Sequence, residues 1–386
     1  MGRVATFAVA TLAAWSGVPD AFAQTAGAAA SGDVLTFMGG LASTSNSNIS
    51  GSAIGTPVSD QITVGTVGVH LDKPISLQRV QLDAAFTNNQ YASNTNFNYT
   101  AQKYLAALQW SLTPEFHGDL STGRTDTLLL GANNVDPTKR NLNTVQTSAV
   151  NAIYGLSGPW RLSAGAVSNT STNEAAVVGQ GNDRSNGGNV GVQYAFASGT
   201  LLALSTAMLQ GNNGSDYNNN TQTLSWTGAT LGKTQLSASV GYQSQTYAAQ
   251  PQYNFSGGIG NLALNWQAAA KLTVNTSLQR TLASYQTSNA TNTQTDTLTL
   301  QPSWAFSPKL SLGYTFKLAQ RNDMGSPAGT SSGRQDKTQD NALSLAWKPN
   351  AKLTVSLSAD DVQTTSNVAN QSVSVQQITL GAVYLF

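Results

Sequence analysis

The chain has no cysteine, and only 10% of its residues are charged. Without cysteine the protein cannot depend on disulfides or carry a lipid on an N-terminal cysteine, although an oxidising compartment would permit disulfides. In ordinary soluble domains about a quarter of all residues are charged. In this chain Ser, Thr, Asn, Gln and Gly take the place of the missing charged residues. The formal net charge is +1, and no basic stripe is present for phosphate contacts, so nucleic acid is not an expected partner.

Long hydrophobic runs are also missing, because no segment after the N-terminus has the roughly 20 apolar residues that a membrane helix requires. The N-terminus has a basic Arg3, an apolar run from Val4 to Trp15 and the small-residue site Ala21-Phe22-Ala23. This pattern is typical of a secretory signal peptide. We therefore expect residues 1–23 to be a signal peptide and the mature protein to leave the cytoplasm.

Motifs for catalysis are absent from the sequence. There is no Gly-x-Ser-x-Gly, His-Glu-x-x-His or glycine-rich phosphate loop, and the only histidines are His70 and His117. His117 could assist a serine, but a solvated histidine beside a turn is the favoured interpretation. Asp360 and Asp361 are neighbours, and on a strand they would point to opposite faces. We predict no enzymatic activity, no cofactor and no metal site.

The chain is rich in period-2 alternation. Its last nine residues, Ile378 to Phe386, have an apolar residue at every second position and end on an aromatic residue. This is typical of the last strand of an outer-membrane β-barrel, in which outward side chains face lipid and inward ones face water. Taken alone, the segment could also be an edge strand of a soluble all-β domain. As a barrel strand, it would present Phe386 to the barrel assembly machinery.

Tight turns recur along the chain at a spacing of about 40 residues, as at Thr113-Pro114-Glu115, Ser307-Pro308-Lys309 and Lys348-Pro349-Asn350. Longer segments rich in Asn, Ser, Thr and Gly lie between them. Short periplasmic turns and long extracellular loops distinguish the two ends of outer-membrane barrels. We predict an all-β fold, a transmembrane antiparallel β-barrel of about 18 strands with 16 as the alternative. Residues 33–386 would form it, after a short periplasmic segment at residues 24–32.

Aromatic residues concentrate near the predicted tight turns. Rings with an apolar body and a polar tip settle where headgroups meet hydrocarbon. We therefore predict a periplasmic membrane girdle formed by Trp110, Phe116, Tyr154, Trp160, Trp226, Trp266, Trp304, Trp347, Tyr384 and Phe386.

Polar residues at inward positions are the candidates for function. The alternation predicts that a solute path is lined by Arg79, Gln81, Asp83, Gln109, Asn151, Arg161, Gln193, Asn265, Asn275, Gln301, Lys317 and Arg321. Amides and hydroxyls suit a hydroxyl-rich solute that is neutral or weakly charged, whereas an anion channel would need a concentrated basic ring. The alternative is that inward charges, such as Arg79 and Asp83, pair with each other and only brace the barrel.

Three stretches carry a resemblance to a known family: Tyr104 to Pro114, Lys139 to Gly165, and Asp340 to Val355, with Trp110-Ser111-Leu112-Thr113-Pro114 as an example of the shared pattern. Together they resemble the EpsL-like β-barrel porins of exopolysaccharide operons. The resemblance implies a channel that exports an exopolysaccharide across the Gram-negative outer membrane, supplied by separate periplasmic export proteins. Outer-membrane lipid and lipopolysaccharide would surround it. The alternatives are a general or sugar-selective uptake porin and an adhesion or receptor barrel.

Overall fold

The structure is a computed structural model. It describes residues 34–51, 57–129, 136, 139–156, 158–228, 232–329 and 333–386. The predicted signal peptide at residues 1–23 and the predicted periplasmic segment at residues 24–32 lie outside the described residues.

Strands dominate the described chain, and each is 12 to 18 residues long. They are β1 (Leu35–Asn46), β2 (Asp60–Ile75), β3 (Gln78–Tyr91), β4 (Tyr99–Ser111), β5 (Phe116–Leu128), β6 (Leu142–Gly155), β7 (Trp160–Asn173), β8 (Asp183–Ala195), β9 (Leu201–Asn212), β10 (Asp216–Thr227), β11 (Thr234–Tyr247), β12 (Phe255–Ala269), β13 (Leu272–Thr287), β14 (Ala290–Ser307), β15 (Leu310–Met324), β16 (Gln335–Trp347), β17 (Leu353–Ser366) and β18 (Val373–Leu385).

The strands form a single closed sheet. Each strand pairs in antiparallel fashion with its neighbours in sequence, and β18 pairs with β1 to close the ring. The predicted barrel is confirmed, with 18 strands. A tilted strand of about 9 to 11 residues spans a bilayer, so these longer strands extend beyond the hydrocarbon.

Helical structure in the described chain amounts to two 3-10 turns, Thr95–Phe97 and Pro251–Tyr253. None of the helices among the described residues has the length and apolar character needed to cross a membrane.

The two faces of the sheet differ as the alternation predicts. On β1, the outward Leu41 is 68% exposed, whereas its neighbour Ala42, on the inward face, is 6% exposed. Inward side chains crowd together on the concave face of a closed sheet, while outward ones splay apart on the convex face. On β18, Ile378, Leu380 and Tyr384 are exposed on the outward face, and Thr379 and Val383 are buried on the inward one.

The connections at one end of the barrel are two to six residues long, while at the other end they reach 13 residues. The first short turn lies later than its sequence suggests. Pro74, a residue type common in turns, instead continues β2 opposite Arg79, and the turn is made by Ser76 and Leu77. Ser76 adopts a positive φ of 55°, a conformation more usual for Gly, Asn or Asp.

Candidate solute pathway

The strand registers place all the predicted path residues on the inward face. Residues directly opposite on neighbouring strands share a face, so the assignment passes from strand to strand around the ring. Inward by this register are Arg79, Gln81, Asp83, Gln109, Asn151, Arg161, Gln193, Asn265, Asn275, Gln301, Lys317 and Arg321. That they contact a solute remains a prediction.

An amide row crosses β11 to β14 on this face. Gln235 lies opposite Asn265, Asn265 opposite Asn275, and Asn275 opposite Gln301. The Asn265 side chain donates to the Asn275 amide oxygen at 2.6 Å. These four residues line a groove of about 200 Å³. Gln235 was not among the predicted residues, although its alternation with Leu236 could have identified it.

A second polar row follows β3 to β6 on the inward face. Arg79 lies opposite Gln109, Gln109 opposite Asp119, and Asp119 opposite Asn151. The Asn151 amide donates to Asp119 at 3.1 Å. On β7 the row meets Gly165, where a Cβ would lie 2.5 Å from the Asn151 amide oxygen. The glycine therefore leaves room for the Asn151 side chain.

Inward charges do pair, but not as the sequence suggested. The Arg79 Nε donates to Asp72 Oδ1 at 2.7 Å, and a second guanidinium nitrogen contacts the other carboxylate oxygen. Asp83 instead contacts His70, with 2.6 Å between Oδ1 and Nδ1. The alternative in which Arg79 pairs with Asp83 is therefore wrong. Asp72 reaches Arg79 because β2 continues past Asp72 before the chain turns.

A charged cluster lies at the long-loop end of β15 and β16. Arg321 donates from Nε to Asp323 at 3.1 Å, and its guanidinium carbon lies 4.5 Å from the centre of the Tyr285 ring. Arg334 donates to Asp336 at 2.9 Å. Burial lowers the pKa of Arg334, but its hydrogen bond and attraction to Asp336 outweigh burial and raise that pKa above the usual value. Arg321 is therefore held in this group, Arg321, Asp323, Arg334 and Asp336, which we call the mouth cluster.

A less compensated set of charges lies deeper, on β15 to β17. Lys317 is directly opposite Asp340, and Asp360 lies diagonally from Asp340 on the same inward face. Among the described residues, Lys317 and Asp340 form no ion pair within 4 Å. Neither Asp340 nor Asp360 therefore has an ion-pair partner within 4 Å in the described part of the chain.

Loops fold inward at the long-loop end. Ile49, from the connection between β1 and β2, is almost completely buried among the inward side chains Ile62 and Val64. Phe97, from the connection between β3 and β4, packs in the same cluster, with its ring 5.8 Å from Tyr91. These contacts hold both connections against inward side chains of the barrel wall at this end.

On the other side of the mouth, the connection between β7 and β8 reaches the β13–β14 hairpin. The Gln286 N–H donates to the Gly179 carbonyl oxygen at 2.8 Å. Asn213, from the β9–β10 connection, donates to the Tyr247 hydroxyl at 3.1 Å and accepts from Gln286 at 3.1 Å. The connections from β7 to β14 therefore meet over part of the mouth.

The predicted girdle residues lie near the short-turn end, with their side chains on the outward face by register. Several of their rings touch: the Trp110 and Phe116 centroids are 5.1 Å apart, and those of Tyr384 and Phe386 are also 5.1 Å apart. The ten residues are Trp110, Phe116, Tyr154, Trp160, Trp226, Trp266, Trp304, Trp347, Tyr384 and Phe386. Their contact with headgroups remains a prediction.

No group of three or more His, Cys, Asp or Glu side chains that could hold a metal ion occurs in the described part of the chain. The inward face therefore carries hydrogen-bonding groups together with charges that are either scattered or paired.

Comparison with known proteins agrees with this geometry. Residues 218–385 match the family model described as "Putative beta-barrel porin 2", which supports a β-barrel porin family. The more specific resemblance to EpsL-like proteins is not confirmed. No curated protein sequence shows significant similarity to the chain.

Solved outer-membrane proteins share the fold at low sequence identity. The structure is similar to Pseudomonas aeruginosa OccK2 (OpdF) in complex with glucuronate, with 12% identity and a TM-score of 0.52. It is also similar to a BenF-like porin from Pseudomonas fluorescens Pf-5, with 12% identity and a TM-score of 0.51. P. aeruginosa OpdK with vanillate gives 13% identity and a TM-score of 0.50. Each alignment covers 91% of this chain and 98% of the other chain. This protein is a porin-like β-barrel of the Gram-negative outer membrane.

Proposed function

We propose that the protein is an uptake porin, a passive channel for small hydrophilic solutes. The observation that carries this proposal is the shape of the extracellular mouth. Loops fold inward around Ile49 and Phe97, and the bond between Gly179 and Gln286 joins the β7–β8 connection to the end of β13 across part of the opening. A narrowed mouth suits a small solute better than a continuous polymer, so we favour uptake over the polysaccharide export that the sequence suggested.

The solved proteins of similar fold give independent support. The OccK2 structure contains glucuronate and one OpdK structure contains vanillate, and both ligands are small molecules. The likeness to this chain is one of fold, so it supports passage of a small solute without identifying it.

The inward face has the chemistry that such passage needs. The amide row of Gln235, Asn265, Asn275 and Gln301 offers both donors and acceptors. Conduction requires sites that attract a solute but release it again, and uncharged hydrogen-bonding groups provide weak sites of this kind.

Liposome swelling tests the proposal directly. Vesicles containing the purified protein should swell in small sugars and amino acids, with a rate that falls steeply as solute size increases. A matched pair of variants, Asn275→Leu on the inward face and Leu278→Ala on the outward face, should separate the passage from the lipid surface. We expect the first to change solute entry and the second to leave it unchanged.

A deletion strain separates uptake from the other two functions. Slow growth on limiting small solutes with normal polymer secretion is the expected result. Periplasmic accumulation of exopolysaccharide with normal solute uptake would instead support export. A barrel that folds but neither conducts ions nor admits solutes would point to an adhesion or receptor role.

A further inference from the structure

Charge is distributed unequally between the two faces of the wall. Among the strand residues of the described chain, the outward face carries five basic and four acidic residues, whereas the inward face carries five basic and nine acidic ones. The inward bases are Arg79, Lys103, Arg161, Lys317 and Arg321, and the inward acids are Asp60, Asp72, Asp83, Asp119, Asp183, Asp323, Asp336, Asp340 and Asp360.

Most of these acids have structural partners. Asp60 accepts hydrogen bonds from the backbone of Ser93 and Asn94, and Asp183 accepts one from the Tyr217 hydroxyl at 2.8 Å. Asp72 and Asp83 pair with Arg79 and His70, and Asp323 and Asp336 belong to the mouth cluster. Asp119, which accepts a hydrogen bond from the Asn151 amide, Asp340 and Asp360 form no ion pair within 4 Å among the described residues. The same holds for the inward bases Lys103, Arg161 and Lys317, so the excess of nine acids over five bases remains as a net negative charge on the inward face.

Asp340 and Asp360 form, with Ser358, a group that we call the acidic station. Asp360 lies opposite Ala342 and Asp340 opposite Val362, so the carboxylates are diagonal neighbours on one face. Diagonal neighbours in antiparallel strands are about 7 to 8 Å apart, a separation that one cationic group can bridge.

Two oxygens of the acidic station lack a hydrogen-bond partner among the described residues. They are the Ser358 Oγ, in a side chain that is only 6% exposed, and the Asp360 Oδ2. A buried acceptor without a donor is costly. Ammonium and guanidinium groups carry donors only, and donors are what these two acceptors lack.

We propose that the channel prefers cationic solutes and that the acidic station binds their ammonium or guanidinium group. This inference rests on the proposed uptake function and defines its solute class. It also distinguishes this chain from the glucuronate and vanillate complexes, whose ligands are carboxylates and would be repelled by an acidic passage. It replaces the neutral or weakly charged solute that the inward amides and hydroxyls suggested.

Ion selectivity measures the effect of the station. Across planar bilayers with a KCl gradient, the reversal potential of the wild-type channel should indicate a K⁺ permeability several-fold above that of Cl⁻. The double variant Asp340→Asn and Asp360→Asn should lower the permeability ratio by about threefold or more. Arg161→Gln, which removes an inward positive charge, should raise the ratio.

The matched control is Asp361→Asn. Asp361 is the next residue on β17, but its carboxylate is on the outward face and accepts from Gln363 at 2.9 Å. This variant should leave the permeability ratio unchanged. Heat-modifiable migration on gels checks that each variant is folded.

Block by the small diamine putrescine tests the station as a binding site. Putrescine should reduce the K⁺ current through the wild-type channel at lower concentration than through the double variant. A protein that inserts but does not conduct would overturn the proposed function itself. A conducting channel that is anion-selective, or whose selectivity and putrescine block are the same in the double variant, would overturn the cation preference alone.

Discussion

The carbonyl oxygen of Gly179 accepts a hydrogen bond from the backbone N–H of Gln286 at 2.8 Å, joining the β7–β8 connection to the end of β13, which neighbours neither β7 nor β8 in the barrel. Gly179 has a φ of +68°, and a Cβ at this position would lie 2.8 Å from the Tyr285 ring. Both the backbone conformation and the close approach therefore require glycine.

Substitution Gly179→Ala should loosen the mouth. The added methyl group would displace the Tyr285 ring or break the hydrogen bond to Gln286, so we expect higher single-channel conductance and faster entry of larger sugars. Gly329→Ala is the control, because Gly329 has a φ of +80° but no atom within 4 Å of its Cβ position. If the two variants conduct alike, contact between the loops does not limit passage.

Removal of Arg321 should destabilise the long-loop end. Its side chain is 20% exposed and that of Asp323 is 3% exposed, so Arg321→Ala leaves a buried carboxylate with less compensation. Loss of one partner of a buried pair costs about 3 to 5 kcal/mol, and we expect a cost near the lower end. Urea unfolding in lipid vesicles, followed by tryptophan fluorescence, measures it.

The control for Arg321 is Arg280, which donates to Asp296 at 2.6 Å on the outward face. The side chains are 50% and 38% exposed, and an exposed pair contributes only about 0 to 1 kcal/mol. Arg280→Ala should therefore have little effect. Equal losses from the two substitutions would contradict the importance of the mouth cluster.

Substitution of arginine at two neighbouring positions of β11 should distinguish the outward face of the barrel wall from the inward face. Val240 is on the outward face and Ser239 on the inward face. Arginine facing lipid costs about 2 to 4 kcal/mol near the bilayer midplane, whereas Ser239→Arg places the same charge in water. We expect Val240→Arg to reduce the free energy of unfolding by this amount and Ser239→Arg to alter conductance instead. If Ser239→Arg reduced the free energy of unfolding and Val240→Arg altered conductance, the assignment of the inward and outward faces would be the wrong way round.

Tryptophan fluorescence should report a single depth in the membrane. Beyond Trp15, in the predicted signal peptide, the six tryptophans all lie outward near the short-turn end: Trp110, Trp160, Trp226, Trp266, Trp304 and Trp347. Lipids brominated near the headgroup should quench them more than lipids brominated near the chain ends. Strong quenching by aqueous acrylamide with no effect of brominated lipid would exclude the girdle.

The barrel was predictable from sequence because its two faces meet different solvents. The alternation of Leu310, Leu312 and Tyr314 with Ser311 and Gly313 repeats a local rule in every strand. Since a one-residue shift would move every side chain to the wrong face, the pattern determines which residues are inward. The number of strands followed from counting turns.

The partners of charged residues were not predictable in the same way. Asp72 meets Arg79 only because the hairpin turns at Ser76 and Leu77, and serine with positive φ is not a usual turn signal. The mouth contacts were also hidden. Gly179 lies in a polar connection without periodicity, and Gln286 lies at the end of β13, where strand alternation gives no information about contacts with a loop.

The pairing of β18 with β1 has a consequence for folding order. Met38 lies opposite Leu385 in this pair, so the first described strand can complete its pairing only when the last described strand is present, while every other pair joins strands that are consecutive in the chain. Until Val373–Leu385 arrives, β1 and β17 each present an unpaired edge, and exposed edges promote pairing between chains. The two edges therefore favour association with other chains until β18 pairs with both of them.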